Sequence, residues 1–160
     1  MPCPLRPSPH PQLPNFPPVS EPALSNKRAV VIVDDEKSYV ELTSQMISET
    51  LGCPVHGFTK PTEALAALPN LGAAVIVTDY FMPKIDGLEF VRRAVTIAPE
   101  ASIILITAHL FEVSEYNLDG LTGIKGYLQK PFGWRRLAEE VLRVWPGPDK
   151  PVSRVEIAPL

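Results

Sequence analysis

Five short apolar runs alternate with longer segments of mixed polarity along the middle of the chain. The runs are RAVVIV (28–33), PVHGF (54–58), AAVIVT (73–78), SIILIT (102–107) and IKGYLQ (124–129). Runs of this length that are rich in β-branched residues favour strands. Three of them are continuously apolar rather than alternating, which is typical of strands covered on both faces of a parallel sheet.

Helical patterns occupy the intervals between the predicted strands. The predicted helices span residues 36–52, 60–69, 87–99, a weaker segment near 111–121, and 133–145. Gly52 is placed to end the first helix, and Thr59 is a candidate N-cap of the second. The strict alternation predicts a doubly wound α/β domain, a (βα)5 flavodoxin-like parallel sheet with strand order 2-1-3-4-5.

Polar side chains stand at the carboxyl ends of four of these strands. Asp34 and Asp35 follow the first strand, Asp79 follows the third, Thr107 ends the fourth, and Lys130 follows the fifth. The carboxyl ends of parallel strands share one edge, and ligands of such sheets bind there, at the switch point between strands 1 and 3. The pattern therefore predicts a site at this edge.

The chemistry of these side chains favours phosphoryl transfer. Three neighbouring carboxylates repel one another, which raises their pKa values or requires a cation. Among divalent cations Mg²⁺ fits best, because proteins hold it with a few carboxylates and several water molecules. Lys130 and Thr107 suit phosphoryl oxygens, and Asp79 would be the nucleophile that forms an acyl phosphate. An aspartate pair after a strand is by itself usually a helix cap, so the prediction depends on the joint occurrence at four strand ends.

The residues that carry this pattern resemble the receiver domains of two-component response regulators. The resemblance covers residues 27–145 and lies in VIVDDE (31–36), VTDYFMPKIDG (77–87), LITA (105–108) and GYLQKPF (126–132). It implies that Asp79 accepts a phosphoryl group from a sensor histidine kinase or a phosphotransfer protein.

The resemblance also implies roles for the other residues at the sheet edge. Mg²⁺ would be held by Asp34, Asp35, Asp79 and the backbone carbonyl of Phe81. Thr107 and Tyr127 match the switch hydroxyl and the switch aromatic, and Lys130 matches the phosphate-contacting lysine. The peptide bond before Pro131 is expected to be cis, and Gly87 matches the glycine of the turn that follows the phosphoacceptor.

Two positions that vary within the family flank the path of water to the acyl phosphate. Phe81 stands two residues after Asp79, and His109 stands two residues after Thr107. An apolar ring cannot orient water, so our hypothesis is that Phe81 prolongs the life of the aspartyl phosphate. His109 would instead help to place the water, and the sequence leaves this alternative open.

Proline marks the limits of the predicted folded unit. Nine of the 19 prolines fall in residues 1–22, and proline fixes φ and lacks a backbone donor. We therefore predict a disordered proline-rich tail over 1–26, the receiver domain over 27–145, and a looser C-terminal tail over 146–160. Only about 15 residues follow Trp145, so we expect a single-domain receiver that acts through contacts with other proteins.

Charge, hydropathy and cysteine content exclude several classes of function. A formal charge of −3 gives no general attraction to nucleic acid or anionic membranes, and no apolar run approaches the roughly 20 residues that span a bilayer. Cys3 and Cys53 fit neither a zinc spacing nor a disulfide framework. We expect a cytoplasmic protein with protein partners and no direct contact with nucleic acid or membrane.

The favoured function is a signalling switch that catalyses only its own phosphorylation and slow dephosphorylation. Phosphorylation would change the surface formed by the fourth helix, fifth strand and fifth helix, which binds partner proteins. One alternative is a metal-dependent aspartyl-phosphate phosphohydrolase, although such enzymes usually carry a second aspartate where Phe81 stands. The other is a pseudo-receiver that binds its partner without phosphorylation.

Overall fold

A computed structural model of the protein describes residues 28–108 and 121–154. In this part of the chain, five parallel strands form one sheet in the order β2-β1-β3-β4-β5. The strands are β1 (Ala29–Val33), β2 (Val55–Phe58), β3 (Ala73–Asp79), β4 (Ser102–Thr107) and β5 (Ile124–Gln129). The prediction of a doubly wound, flavodoxin-like parallel sheet is confirmed.

Among the described residues, four helices cover the two faces of this sheet. They are α1 (Lys37–Leu51), α2 (Pro61–Leu71), α3 (Gly87–Ile97) and the C-terminal helix α4 (Trp134–Val144). Residues 111–120 of the weak helix predicted near 111–121 lie outside the described residues. No helix within the described ranges is both long enough and apolar enough to cross a bilayer.

The continuously apolar strands have their side chains buried on both faces of the sheet. Every residue of β1, β3 and β4 is buried. Along β1, Val30 and Ile32 join the core beneath α1 and α4, whereas Val31 and Val33 join the core beneath α2 and α3. Successive strand residues point to opposite faces, so an uninterrupted apolar run is what a strand between two helical layers requires.

The ends of α1 and α2 show which boundary residues act as expected. Gly52 adopts a left-handed conformation with φ 63°, and its N–H donates to the Ser48 carbonyl at 2.8 Å, so the predicted stop of α1 is confirmed. The prediction that Thr59 caps α2 is wrong, because Lys60 is the N-cap and its side chain makes no capping bond. Pro61 begins this helix, where its fixed φ is favourable and its missing N–H is not needed.

Residues 146–154 contact the edge of the sheet opposite the carboxyl ends of the strands. The Arg28 guanidinium, just before β1, donates to the Pro146 carbonyl at 2.7 Å. The Arg154 N–H donates to the Thr50 carbonyl, near the end of α1, at 2.7 Å. Hydrogen bonds at both ends therefore join this segment to the domain.

Candidate functional site

Backbone hydrogen bonds that continue beyond the strands bring the polar residues together. The Tyr80 N–H, just after β3, donates to the Ile106 carbonyl of β4 at 2.8 Å. The Lys130 N–H, just after β5, donates to the Thr107 carbonyl of β4 at 2.9 Å. The Asp34 N–H, just after β1, donates to the Phe58 carbonyl of β2 at 3.2 Å. These bonds extend the strand pairing by one residue and so fix the positions of the Asp34, Asp79 and Lys130 side chains at the carboxyl edge of the sheet.

The Lys130 ammonium lies between two buried carboxylates. Its Nζ is 2.8 Å from Asp34 Oδ2 and 2.9 Å from Asp79 Oδ2, and the two aspartates are only 1% and 8% exposed. Asp35 is exposed, but one carboxylate oxygen from each of the three aspartates lies within 4.8 Å of the others. This acidic cluster is compatible with a divalent cation, which prefers oxygen ligands.

The remaining oxygens of Asp34 and Asp79 are held to different degrees. Asp34 Oδ1 accepts a hydrogen bond from the Glu36 N–H at 2.9 Å. Asp79 Oδ1 accepts a longer one, 3.4 Å, from the Phe81 N–H. Because a bond of this length is weak, the Oδ1 atom of Asp79 is held less firmly than that of Asp34.

Burial and ion pairing act in opposite directions on the charged groups. Burial raises the pKa of Asp79, and the hydrogen bond and charge of Lys130 partly offset this rise. Burial by itself would lower the pKa of Lys130, but its hydrogen bonds to Asp34 and Asp79 and their charges raise that pKa overall. The ammonium therefore stays charged at neutral pH and compensates the two buried carboxylates.

The turn after Asp79 brings the start of α3 against the end of β3. The Gly87 N–H donates to the Tyr80 carbonyl at 2.8 Å. A Cβ atom at position 87 would lie 2.5 Å from the Asp79 carbonyl oxygen and 2.7 Å from Tyr80 Cα. Asp86 caps the helix by accepting a hydrogen bond from the Glu89 N–H at 2.8 Å. A residue without a side chain at position 87 therefore lets the chain turn this close to the site.

The structure places the switch residues and the variable positions at different distances from the surface. Thr107 is fully buried at the end of β4, whereas the Tyr127 side chain on β5 is 40% exposed. Phe81 is 53% exposed, and its ring meets Tyr80 edge-on with the ring centroids 4.7 Å apart. The Lys130–Pro131 peptide bond is cis, as the resemblance implies. His109 lies outside the described residues.

Sequence reasoning missed one residue of the site, Tyr39 on the first turn of α1. Lys130 Nζ lies 5.1 Å from the centroid of its ring. Burial raises the pKa of Tyr39 to about 12, so the phenol is neutral at physiological pH. Tyr39 belongs to none of the polar groups at the strand ends, and no spacing in the sequence signals its approach to Lys130.

The fold and the acidic cluster define a class of protein, and comparison with known sequences identifies it. Residues 30–142 match the sequence profile of the response regulator receiver domain. The chain therefore belongs to the receiver domain family of two-component systems. It is 30% identical over 115 residues to the response regulator receiver protein CpdR of Brucella abortus (strain 2308), covering 72% of this chain and 93% of CpdR.

Other relatives are much longer than the segment they share with this chain. The C4-dicarboxylate transport transcriptional regulatory protein DctD of Rhizobium meliloti is 29% identical over 120 residues, which is 75% of this chain but 26% of DctD. The matching segment is 12% of the sensor kinase CckA of Brucella abortus. The matching part of the chain thus spans about a quarter of DctD and about an eighth of CckA.

Solved structures of receiver domains have the same fold. The chemotaxis protein CheY4 of Vibrio cholerae superposes with a TM-score of 0.66 at 27% identity, covering 74% of this chain and 98% of CheY4. A receiver domain protein of Methanospirillum hungatei superposes with a TM-score of 0.63, also at 27% identity. The match covers 72% of this chain and 90% of the Methanospirillum chain.

Proposed function

We propose that this domain is a phosphorylation-controlled switch that accepts a phosphoryl group on Asp79 from a sensor histidine kinase or a phosphotransfer protein. The observation that carries the proposal is the Lys130 ammonium held between the carboxylates of Asp34 and Asp79. A nucleophilic carboxylate, a fixed cation for a phosphoryl oxygen and nearby acidic groups for a metal ion meet at the edge of the sheet where ligands bind.

In the transfer step, a carboxylate oxygen of Asp79 attacks the phosphorus atom of a phosphohistidine. The phosphorus–nitrogen bond breaks, and its electron pair goes to the imidazole nitrogen, so an acyl phosphate forms on Asp79. The Lys130 ammonium, which pairs with Asp79 Oδ2 at 2.9 Å before the transfer, then contacts an oxygen of the transferred group. Its charge stabilises the negative charge that the carboxylate shares with the phosphoryl group.

The acidic cluster gives this reaction a site for Mg²⁺. Asp34, Asp35, Asp79 and the backbone carbonyl of Phe81 would hold the ion, since Mg²⁺ binds through a few carboxylate and carbonyl oxygens together with water. When bound, the ion offsets the negative charge of the phosphoryl group near the carboxylates. The compact grouping of oxygens from the three aspartates, within 4.8 Å, supports this assignment.

The phosphoryl group then changes a surface that binds partner proteins. The Thr107 hydroxyl moves toward the phosphoryl oxygens, and the ring of Tyr127, here 40% exposed, turns inward to follow it. We expect the affected surface to include β5 and α4 together with the weak helix that the sequence predicts near 111–121, of which residues 111–120 lie outside the described part of the chain. A charge added at the buried end of β3, where Asp79 lies, is thereby converted into a change of shape at the surface.

The side chain of Phe81 sets how long the phosphorylated state lasts. In hydrolysis, a water oxygen attacks phosphorus and the bond to the Asp79 oxygen breaks, which returns the carboxylate and releases inorganic phosphate. The Phe81 ring offers this water no hydrogen bond, and it lies at the surface of the site, packed edge-on against Tyr80. The acyl phosphate is therefore long-lived compared with that of a variant carrying an amide at this position.

Labelling with a small phosphodonor tests the proposal. Wild type should take up phosphoryl groups from acetyl phosphate in the presence of Mg²⁺, whereas Asp79→Ala should not. Asp149→Ala is a matched control, because it removes an aspartate at the opposite edge of the sheet, close to Arg28. Unlabelled wild type would favour the pseudo-receiver, and sustained turnover of a phosphomonoester would favour the phosphohydrolase. Pull-down with the two forms then identifies partners that distinguish them.

A further inference from the structure

Tyr39 connects the first turn of α1 to the segment that carries Lys130. Lys130 Nζ lies 5.1 Å from the centroid of the Tyr39 ring. The ring of Phe132, two residues after Lys130, meets the Tyr39 ring edge-on, with centroids 6.4 Å apart and planes at 88°. One aromatic ring thus contacts the segment 130–132 at two points, and one of these points is the ammonium group of the site.

We propose that Tyr39 is a positioning residue of the phosphoryl-transfer site, which holds the Lys130 ammonium between Asp34 and Asp79 through its ring. The inference rests on the proposed function and assigns a role to a residue outside the acidic cluster. A cation near the face of an aromatic ring is attracted by the negative potential of that face, most strongly where water is partly excluded. Lys130 is 31% exposed, so its surroundings are only partly aqueous.

The flexibility of the lysine side chain gives this contact its importance. Four methylene groups joined by rotatable bonds connect the ammonium to the backbone, and fixing such a side chain in one conformation costs conformational entropy. The carboxylates of Asp34 and Asp79 attract the ammonium from one side, but one of them must release it when a phosphoryl group arrives. The Tyr39 ring carries no charge and takes no part in that exchange, so it continues to hold the ammonium throughout.

A role in positioning differs from a role in packing, because it depends on the aromatic face rather than on apolar volume. Tyr39→Leu keeps an apolar side chain and removes the ring, whereas Tyr39→Phe keeps the ring and removes the hydroxyl. Leu42→Ala is a matched control on the same helix, where the leucine side chain is 63% exposed. Lys130→Met, alone and combined with Tyr39→Leu, completes a double-mutant cycle.

The measurement is the rate constant of phosphoryl uptake from acetyl phosphate with Mg²⁺. The rate of Tyr39→Leu should fall about 3- to 30-fold, the factor that corresponds to a partly desolvated cation–π contact. Tyr39→Phe should recover most of the rate, and Leu42→Ala should match wild type. In the Lys130→Met background, Tyr39→Leu should change the residual rate little, because the group on which it acts has been removed.

Equal losses from Tyr39→Leu with and without Lys130 would show that the ring only supports the fold, and would overturn the proposal. A Tyr39→Leu rate equal to that of wild type would overturn it too. Urea unfolding of the four proteins of the cycle (wild type, Tyr39→Leu, Lys130→Met and the double variant) without phosphodonor measures the Tyr39–Lys130 coupling independently. If wild type were not labelled, the proposed function would fail, whereas absence of coupling in unfolding would overturn the positioning role itself.

Discussion

Replacing Lys130 with methionine should destabilise the domain, because Asp34 and Asp79 would stay buried without the cation that they share. Methionine has a similar length but no charge, so the change mainly removes the ammonium. Removing one partner of a fully buried ion pair costs about 3–5 kcal/mol. Lys130 is 31% exposed, so water can reach the carboxylates, and we expect a loss of about 2–3 kcal/mol in the free energy of unfolding at neutral pH.

The pH dependence of this loss follows from the direction of the pKa shifts. The folded-state pKa of Lys130 is raised, so the stability it contributes is fully present below the unfolded value of about 10.4 and is lost only above it. Burial already raises the pKa of Asp79, and loss of the ammonium removes the hydrogen bond and charge that partly offset this rise, so that pKa rises further above its unfolded value of about 3.9. A raised carboxylate pKa means that stability falls as pH rises, so the variant should lose most between about pH 4 and pH 7.

The assay is urea unfolding at pH 5 and pH 7.5 in the presence of a chelator. With a urea dependence of about 1–3 kcal/mol per M, the expected loss lowers the midpoint by about 0.7–3 M at pH 7.5, and by less at pH 5. Lys125→Met is the matched control, since Lys125 is an exposed lysine of β5 and should change stability by at most about 0.5 kcal/mol. Equal midpoints for wild type and Lys130→Met, or a larger loss at pH 5, would refute this electrostatic account of the site.

Three further predictions concern the signal lifetime, the turn after Asp79 and the C-terminal contacts. Phe81→Asn should lose its phosphoryl group faster than wild type, because the amide can orient water; equal or slower loss, measured by the decay of label, would contradict this. Gly87→Ala should cost about 1–3 kcal/mol in urea unfolding, because its Cβ meets backbone atoms that must shift; a stability equal to wild type would show that the turn adapts freely. Deletion of residues 146–160 removes the hydrogen bonds to Arg28 and Thr50 and should lower stability by about 1–3 kcal/mol; an unchanged unfolding midpoint would show that these contacts add nothing.

The central strands β1, β3 and β4 could be predicted from the sequence because their side chains face two apolar layers. The predicted run 102–107 coincides with β4, and the predicted run 124–129 coincides with β5, where buried and exposed residues alternate. The meeting of Asp34, Asp79 and Lys130 followed from topology alone, because parallel strands deliver their carboxyl ends to one edge. The hydrophobic pattern and the parallel topology were therefore enough to predict both the fold and the acidic cluster.

The features that sequence reasoning missed depend on tertiary packing or on the backbone. Tyr39 reaches Lys130 only because α1 packs beside the segment after β5, and no local pattern encodes that approach. The error at Thr59 arose because the fixed φ of Pro61 determines where α2 begins. The contact between residues 154 and 50 joins a backbone N–H to a backbone carbonyl, and such a bond leaves no trace in the identity of either side chain.

The location of the phosphoryl group tests the central claim most directly. After incubation with acetyl phosphate and Mg²⁺, peptide mass spectrometry should find one added phosphoryl group per chain, on the peptide that contains Asp79. Label should be absent when Mg²⁺ is chelated and absent in Asp79→Ala. A phosphoryl group carried by another residue, or label that persists in Asp79→Ala, would contradict the assignment of Asp79 as the phosphoacceptor.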